Sequence, residues 1–183
     1  YKQKKTPDGE KEYLLVDGYN IIFAWEDLKE LAAANIDGAR EKLMDILCNY
    51  QGFKKCTLIL VFDAYKVKGN PGSVETYHNI HVGFIRKEAE TADQYIEKTV
   101  HGIGRKYRVT VATSDQLEQV IILGQGGQRM SARELLEDVI EVSHQIRETA
   151  RQKRSSEKNY LFDHLDEETA ARMERIRLGE EEI

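Results

Sequence analysis

Residues 13–20 read Tyr-Leu-Leu-Val-Asp-Gly-Tyr-Asn, and this stretch decides the fold. Its apolar run stops abruptly at Asp17 and Gly18, which is typical of a short buried strand. Two further apolar runs, over residues 57–62 and 109–113, also end at or near an aspartate, namely Asp63 and Asp115. Buried strands separated by helices indicate an α/β fold with a central, mostly parallel sheet and right-handed crossovers.

Helical patterns separate and follow these strands. Residues 37–50 carry an apolar stripe with the spacing of one helix face. Capping-box spacing begins two more helices. The first is expected to run from Thr91 to residue 107, and the second from Ser131 to about residue 142.

The remaining segments are short, and the end of the chain is highly charged. Residues 74–84 predict one or two edge strands, residues 116–123 a short helix, and the glycine-rich residues 124–129 a loop. Beyond residue 142 the pattern stays helical, with a thin apolar stripe. We therefore expect three parts, namely a leader over residues 1–12, a domain over residues 13–142 and a charged helical tail over residues 143–183.

Composition excludes several classes of protein. The 183 residues are 40% apolar, which is enough for a core, and no apolar run approaches the ~20 residues that span a bilayer. The net charge of -5 means that any nucleic-acid site has to be a local basic patch. Cys48 and Cys56 are too few for a disulfide framework or a four-thiolate zinc site. With no signal peptide in residues 1–12, we expect reduced thiols and a cytoplasmic location.

The aspartates that end three strands carry the functional prediction. Carboxyl ends of parallel strands meet at one edge of a sheet, so Asp17, Asp63 and Asp115 are expected to line one crevice. Carboxylates gathered there repel one another and stay ionised together only with a cation among them. Oxygen ligands favour a hard ion, Mg²⁺ or Mn²⁺. The sequence leaves open the alternative that each aspartate caps the helix that follows it.

Two neighbouring segments add polar side chains to the expected crevice. Asn20 can orient a water or a phosphate there, or it can be a turn residue that bonds its own backbone. Glu90 and Asp93 are three residues apart and share a face of one helical turn. They lie beside the metal in one interpretation and complement the helix dipole in the other.

The order of these motifs resembles the NYN branch of the PIN-like nucleases. The matching segments are LLVDGYN at residues 14–20, VFDA at 61–64, ETAD at 90–93 and ATSD at 112–115. The stretch GQGGQRMSAREL at residues 124–135 narrows the resemblance to YacP-like proteins, which are ribosome-associated endoribonucleases. The resemblance covers residues 13–142 and implies a three-layer PIN-like domain, a helical tail and metal-dependent cleavage of RNA, with mRNA and the ribosome as partners.

The resemblance also implies roles for individual residues. Its acidic positions, which would ligate the metal and support catalysis, fall on Asp17, Asp63, Asp93 and Asp115. Asn20 is their polar companion in catalysis, and Glu90 is a further candidate metal ligand. The alternative function is a catalytically silent RNA- or ribosome-binding module of the same fold, which would need no metal.

RNA also requires positive charge in this acidic chain. The candidate RNA-binding residues are Lys66, Lys68, Arg86, Lys87, Arg129, Arg151, Lys153 and Arg154, with an ordinary solvated surface as the alternative. Tyr19, Trp25 and Tyr65 are candidates for stacking on bases, with burial in the core as the alternative. No Gly-Lys-Ser/Thr follows the glycines at residues 124–127, so no nucleotide cofactor is expected.

Overall fold

The computed structural model describes residues 11–63, 73–85, 91–104, 106–163 and 167–179. In these residues the chain forms, in order, β1 (Glu12–Asp17), α1 (Gly18–Ala24), α2 (Glu26–Ala34), α3 (Ile36–Lys54), β2 (Thr57–Asp63), β3 (Ser73–Tyr77), β4 (Ile80–Ile85), α4 (Ala92–Ile103), β5 (Arg108–Ala112), α5 (Gln116–Gly124), β6 (Gln128–Met130), α6 (Ala132–Asp163) and α7 (Glu167–Arg177). The chain divides into two compact units, Tyr1–Val142 and Ser143–Ile183.

The first unit is built on a six-stranded sheet in the order β3-β4-β2-β1-β5-β6. All neighbouring pairs are parallel except β3 with β4. β1 lies between β2 and β5, with Asp17 opposite Val61 and Val16 opposite Ala112. The sheet confirms the predicted α/β class and brings the carboxyl ends of β1, β2 and β5 to one edge.

Alternate residues of β1 pack on opposite faces of the sheet, because successive side chains of a strand point in opposite directions. Leu14 and Val16 belong to a core cluster with residues of α1, α2, α3 and α6. Leu15 belongs to a second cluster that includes Ile96 and Val100 of α4. Helices therefore cover both faces, which gives the expected three layers.

Residues 18–34, to which the sequence analysis assigned no element, form the helices α1 and α2. The two helices meet at Trp25, which is only 4% exposed. The indole Nε1 of Trp25 donates a hydrogen bond of 2.8 Å to the backbone oxygen of Ala132, 107 residues away. This long-range contact explains why local pattern did not reveal the helices.

Both predicted capping boxes are confirmed, whereas several element boundaries differ from the prediction. α4 ends at Ile103 rather than at residue 107, because Gly102 and Gly104 have low helix propensity. β6 begins inside the predicted glycine-rich loop, where it pairs with β5. Of the two strands in residues 73–85, β3 lies at one edge of the sheet, whereas β4 is an interior strand between β3 and β2.

The second unit is helical. α6 continues past residue 142 as one helix to Asp163, and α7 follows. The side chains described in residues 144–158 are all exposed. Among the described residues, no helix is long and apolar enough to cross a membrane.

Gly18 is required by a close approach of α1 to the core and not by the turn that its sequence position suggests. α1 begins at Gly18 itself, and a Cβ atom added there would lie within 3.0 Å of three ring atoms of Phe62. Phe62 is fully buried, so its ring has little room to move aside.

We expect Gly18→Ala to lower the free energy of unfolding by about 1–3 kcal/mol, because the added methyl overpacks the contact with Phe62. Urea denaturation measures the change. Gly102→Ala in α4 is the matched control, since among the described residues no atom beyond its chain neighbours and its own helix backbone lies within 4 Å of its added Cβ, and alanine favours the helix. Equal urea midpoints for the two variants would contradict the steric explanation.

Candidate metal centre

Asp17 is a buried carboxylate at the end of the central strand. Its residue is 4% exposed, and it occupies the N-cap position of α1 without capping the helix through its side chain. Instead, Asp17 Oδ2 accepts a hydrogen bond of 2.6 Å from Asn20 Nδ2. The immediate start of α1 at Gly18 places Asn20 one turn later, so the amide returns to the strand end.

The N-terminus of α4 brings Asp93 to the same edge. The capping box of Thr91 and Gln94 begins the helix, and Asp93 lies in its first turn. Asp63, at the end of β2, accepts a hydrogen bond of 3.0 Å at Oδ1 from the backbone nitrogen of Ala92. Asp63 thus ties the start of α4, and with it Asp93, to the end of the neighbouring strand.

Glu118 is the third member of the cluster, and the sequence analysis did not select it. It lies in the first turn of α5 and is 2% exposed. Glu118 Oε2 accepts a hydrogen bond of 2.8 Å from Thr113 Oγ1, which follows β5. Glu118 Oε1 is buried and receives no hydrogen bond from the part of the chain that the structure describes.

Carboxylate oxygens of Asp17, Asp93 and Glu118 all lie within 4.8 Å of one another. Burial is the main cause that raises the pKa of Asp17 to about 7, and the charge of Asp93 adds to it. Burial likewise raises the pKa of Glu118 to about 8, with the charges of Asp17, Asp93 and Asp115 as further causes. The group therefore needs a proton or a cation.

The residues present fit a hard cation. The cluster offers only carboxylate oxygens, which suit Mg²⁺ and Mn²⁺ better than soft metals. Within the described residues Glu118 Oε1 is an acceptor without a donor, and a buried acceptor of this kind is costly unless a positive group meets it. A cation among the three carboxylates would satisfy that oxygen and offset the mutual repulsion.

Asp115 and Asp63 accept hydrogen bonds from the N-termini of helices. This is the alternative to metal ligation that the sequence left open. Asp115 is the N-cap of α5, and its Oδ1 accepts hydrogen bonds from the backbone nitrogens of Leu117 and Glu118. Asp63 bonds the first turn of α4. The structure thus brings Asp17 and Asp93 together with Glu118, while Asp63 and Asp115 position the helices that carry Asp93 and Glu118.

The apolar pattern of α5 concealed Glu118, because most of the apolar residues that would predict the buried face are exposed in the structure. Leu117, Val120 and Leu123 are exposed by 70%, 62% and 49%, whereas Glu118 and Ile122 are buried. Residues 118 and 122 share one helix face because they are four apart. A glutamate on the buried face of a helix with an apolar exposed face indicates a site rather than a surface charge.

The other predicted site residues fall into three groups. Lys66, Lys68, Arg86, Lys87, Glu90 and Tyr65 lie outside the described residues. The remaining basic candidates are exposed. Arg129 lies on β6 rather than in a loop, and Arg151, Lys153 and Arg154 lie on the part of α6 that belongs to the second unit. Tyr19 and Trp25 are 5% and 4% exposed, so both are core residues rather than open stacking platforms.

This architecture agrees with a known family. The model of the YacP-like NYN domain matches residues 14–178. The chain belongs to the YacP-like NYN domain family. NYN domains have the PIN-like nuclease fold, and the family match extends through most of the residues of the second unit.

Relatives of this NYN protein are known from Bacillus subtilis. The protein named YacP, described as uncharacterised, is 42% identical over 170 residues, which are 92% of this chain and 98% of YacP. The crystal structure of Rae1 (YacP) has a TM-score of 0.67 at 42% identity, covering 92% of this chain and 95% of that chain. A single-substitution mutant of Rae1 has a TM-score of 0.68 at 35% identity, covering 90% and 99%.

The raised pKa values predict how stability depends on pH without metal. Between the ordinary pKa values near 4 and the folded values of about 7 and 8, the folded protein binds protons that the unfolded chain has released. The free energy of unfolding of the chelated protein therefore falls as pH rises through this window. Mg²⁺ replaces the protons, so it should raise Tm more at pH 8 than at pH 5.

Glu118→Gln should raise the Tm of the chelated protein at pH 8 by a few degrees, because about 1 kcal/mol corresponds to roughly 2–4 °C for a chain of this size. It should also remove most of the gain from Mg²⁺. Thermal melts of wild type, Glu118→Gln and the exposed control Glu30→Gln measure both effects. An unchanged Mg²⁺ gain in Glu118→Gln would remove this residue from the cation site.

Proposed function

We propose that this protein is a metal-dependent endoribonuclease that hydrolyses phosphodiester bonds of mRNA on the ribosome. The observation that carries the proposal is the cluster of Asp17, Asp93 and Glu118 in a chain with the PIN-like nuclease fold. Asp17 and Glu118 are buried, and Glu118 Oε1 has no hydrogen-bond partner among the described residues. Mg²⁺ or Mn²⁺ is the cofactor that these oxygen ligands favour.

In this proposal Asp17, Asp93 and Glu118 hold the cation at the edge of the sheet. A bound divalent cation supplies a lowered pKa for water and positive charge opposite the phosphate oxygens. Thr113 orients Glu118 through its hydroxyl, and Asp63 and Asp115 hold the two helices in register with the strands.

Asn20 has a fixed orientation beside this cluster. Its Nδ2 donates to Asp17, and its Oδ1 accepts a hydrogen bond of 2.6 Å from Ser114 Oγ. Asn20 is neutral, so it adds no negative charge to a crowded acidic site. Because its amide is held at both ends, it also determines which side of the Asp17 carboxylate is left for the cation. Asn20 is therefore a positioning residue in the proposed reaction.

Cleavage of translated mRNA by purified protein tests the proposal. Translating ribosomes are incubated with the protein in Mg²⁺ or Mn²⁺ and, in parallel, with chelator, and the 5′ ends of the mRNA fragments are mapped. We expect cuts only with metal. Ribosome or RNA binding without metal-dependent cuts would instead indicate the catalytically silent module.

We expect Asp17→Asn, Asp93→Asn and Glu118→Gln each to reduce cleavage by at least roughly 100-fold, because each removes a ligand from the cation site. The fold should persist, since loss of one acid relieves repulsion in the metal-free protein. Cleavage rates with thermal melts measure both outcomes. Asp27→Asn on the exposed face of α2 is the matched control, and full activity in a cluster variant would exclude that residue as a ligand.

The exposed cations of α6 support a separate role in holding RNA or the ribosome. Replacing Arg151, Lys153 and Arg154 together with alanine should weaken RNA binding and reduce its slope against log salt by about 2, since each phosphate contact contributes roughly 0.7. The RNA concentration for half-maximal cleavage should rise. Binding titrations at several salt concentrations measure the slope.

The matched control for this triple variant replaces Lys29, Lys42 and Lys98, which are exposed cations of the first unit, with alanine. It removes the same charge from other positions. If the two triple variants change the salt slope equally, the effect comes from net charge and the α6 cations have no specific role.

A further inference from the structure

A groove of about 490 Å³ lies in the first unit, between the end of α1 and the starts of α5 and α6. Ala24, Trp25 and Leu136 contribute apolar surface. Ser114, Gln116 and Gln119 contribute hydroxyl and amide groups. The groove is therefore a partly apolar recess with polar hydrogen-bonding groups, which is the composition of a small-molecule or base-binding site.

The charge of the groove differs from that of the neighbouring acid cluster, which consists of Asp17, Asp93 and Glu118. None of the described residues that line it is a carboxylate, and Arg133 adds a positive charge at the start of α6. Arg133 is 88% exposed and pairs with Glu137 one turn later, so the arginine lies on the rim. In a chain of net charge -5, a recess lined this way can lie beside a polyanion without direct repulsion.

A chain of two hydrogen bonds joins the groove to the acid cluster. Ser114 lines the groove and donates through Oγ to Asn20 Oδ1 at 2.6 Å. Asn20 in turn donates through Nδ2 to Asp17 Oδ2 at 2.6 Å. One amide group therefore separates the groove wall from the buried carboxylate, a spacing that a neighbouring nucleotide on the same strand can span.

We propose that this groove binds a nucleobase of the RNA strand, one nucleotide from the phosphate that lies at the acid cluster. The inference rests on the proposed nuclease function, which it deepens by naming how the strand is positioned. The apolar wall of the groove suits a base and does not suit a phosphate. The phosphates on either side of this base contact Arg133 and the acid cluster.

Gln116 supplies the means to distinguish one base from another. Its residue is exposed at the first position of α5, and its amide can donate and accept at once. A glutamine pairs in this way with two adjacent atoms on the edge of adenine. Gln119 is already engaged, because its Nε2 donates to the backbone oxygen of Thr113 at 2.8 Å. Gln119 therefore shapes the wall while Gln116 contacts the base.

Blocking the groove tests the proposal directly. Ala24→Phe adds a ring to an exposed wall residue, and Ala33→Phe adds the same ring to an exposed position of α2 that does not line the groove. Circular dichroism and thermal melts verify that both variants fold. The ligands are short RNA oligonucleotides and matched abasic strands that retain only sugar and phosphate.

We expect wild type and Ala33→Phe, with chelator present, to bind the base-bearing strand roughly tenfold more tightly than the abasic strand. Ala24→Phe should lose this preference and bind the abasic strand as wild type does. Gln116→Ala should keep a preference for bases but reduce discrimination among the four. In cleavage assays, Ala24→Phe should act mainly through KM.

Equal binding of the two strands by wild type, or an undiminished preference in Ala24→Phe, would overturn the groove proposal. So would an Ala24→Phe protein that keeps its RNA preference but no longer associates with ribosomes, because the groove would then receive a protein segment. The nuclease proposal fails separately. A base preference lost in Ala24→Phe without metal-dependent cleavage by wild type supports the groove and refutes the nuclease.

Discussion

The burial of the Asp17 carboxylate at the end of the central strand is the constraint on which the rest of this structure depends. A buried charge is costly unless partners compensate for it. Asn20 provides one hydrogen bond, yet the titratable groups close to Asp17 are Asp93 and Glu118, which are also acids. The fold thus concentrates charges of one sign in a position that only a proton or a cation can neutralise.

The helices that begin at the sheet edge partly offset the repulsion between these acids and also keep the acids close together. N-termini of α1, α4 and α5 follow or approach the ends of strands, and their dipoles favour negative charge there. Asp115 uses its side chain to cap α5, whereas Asp17 at the equivalent position of α1 does not cap. Asp17 and Asp115 each come at or after the end of a strand and precede a helix, yet they have different roles. The difference arises from the direction in which each side chain points.

The parts of the fold that local pattern determines were predictable. Apolar runs ending in aspartate predicted the strands and their common edge, and the motif positions of Asp17 and Asp93 coincide with two members of the cluster. Glu118 was not predictable from a helix-start pattern, since an acid in a first turn usually complements the dipole. Its burial depends on which face of α5 meets the sheet. α1 and α2 likewise depend on the contact of Trp25 with Ala132, which no short window contains.

The outward-facing leucines and valine of α5 have a further consequence for the dynamics of the domain. A helix that leaves Leu117, Val120 and Leu123 in water gains little from hydrophobic burial. Its attachment depends instead on Ile122, on the Asp115 cap and on the bonds that Glu118 and Gln119 form with Thr113. In native-state hydrogen exchange, α5 would belong to the segments that open well below the global unfolding free energy. Neutralising the charge at Glu118 would then stabilise the closed state of the whole helix, and cation binding at the acid cluster would be observed as slower amide exchange along α5.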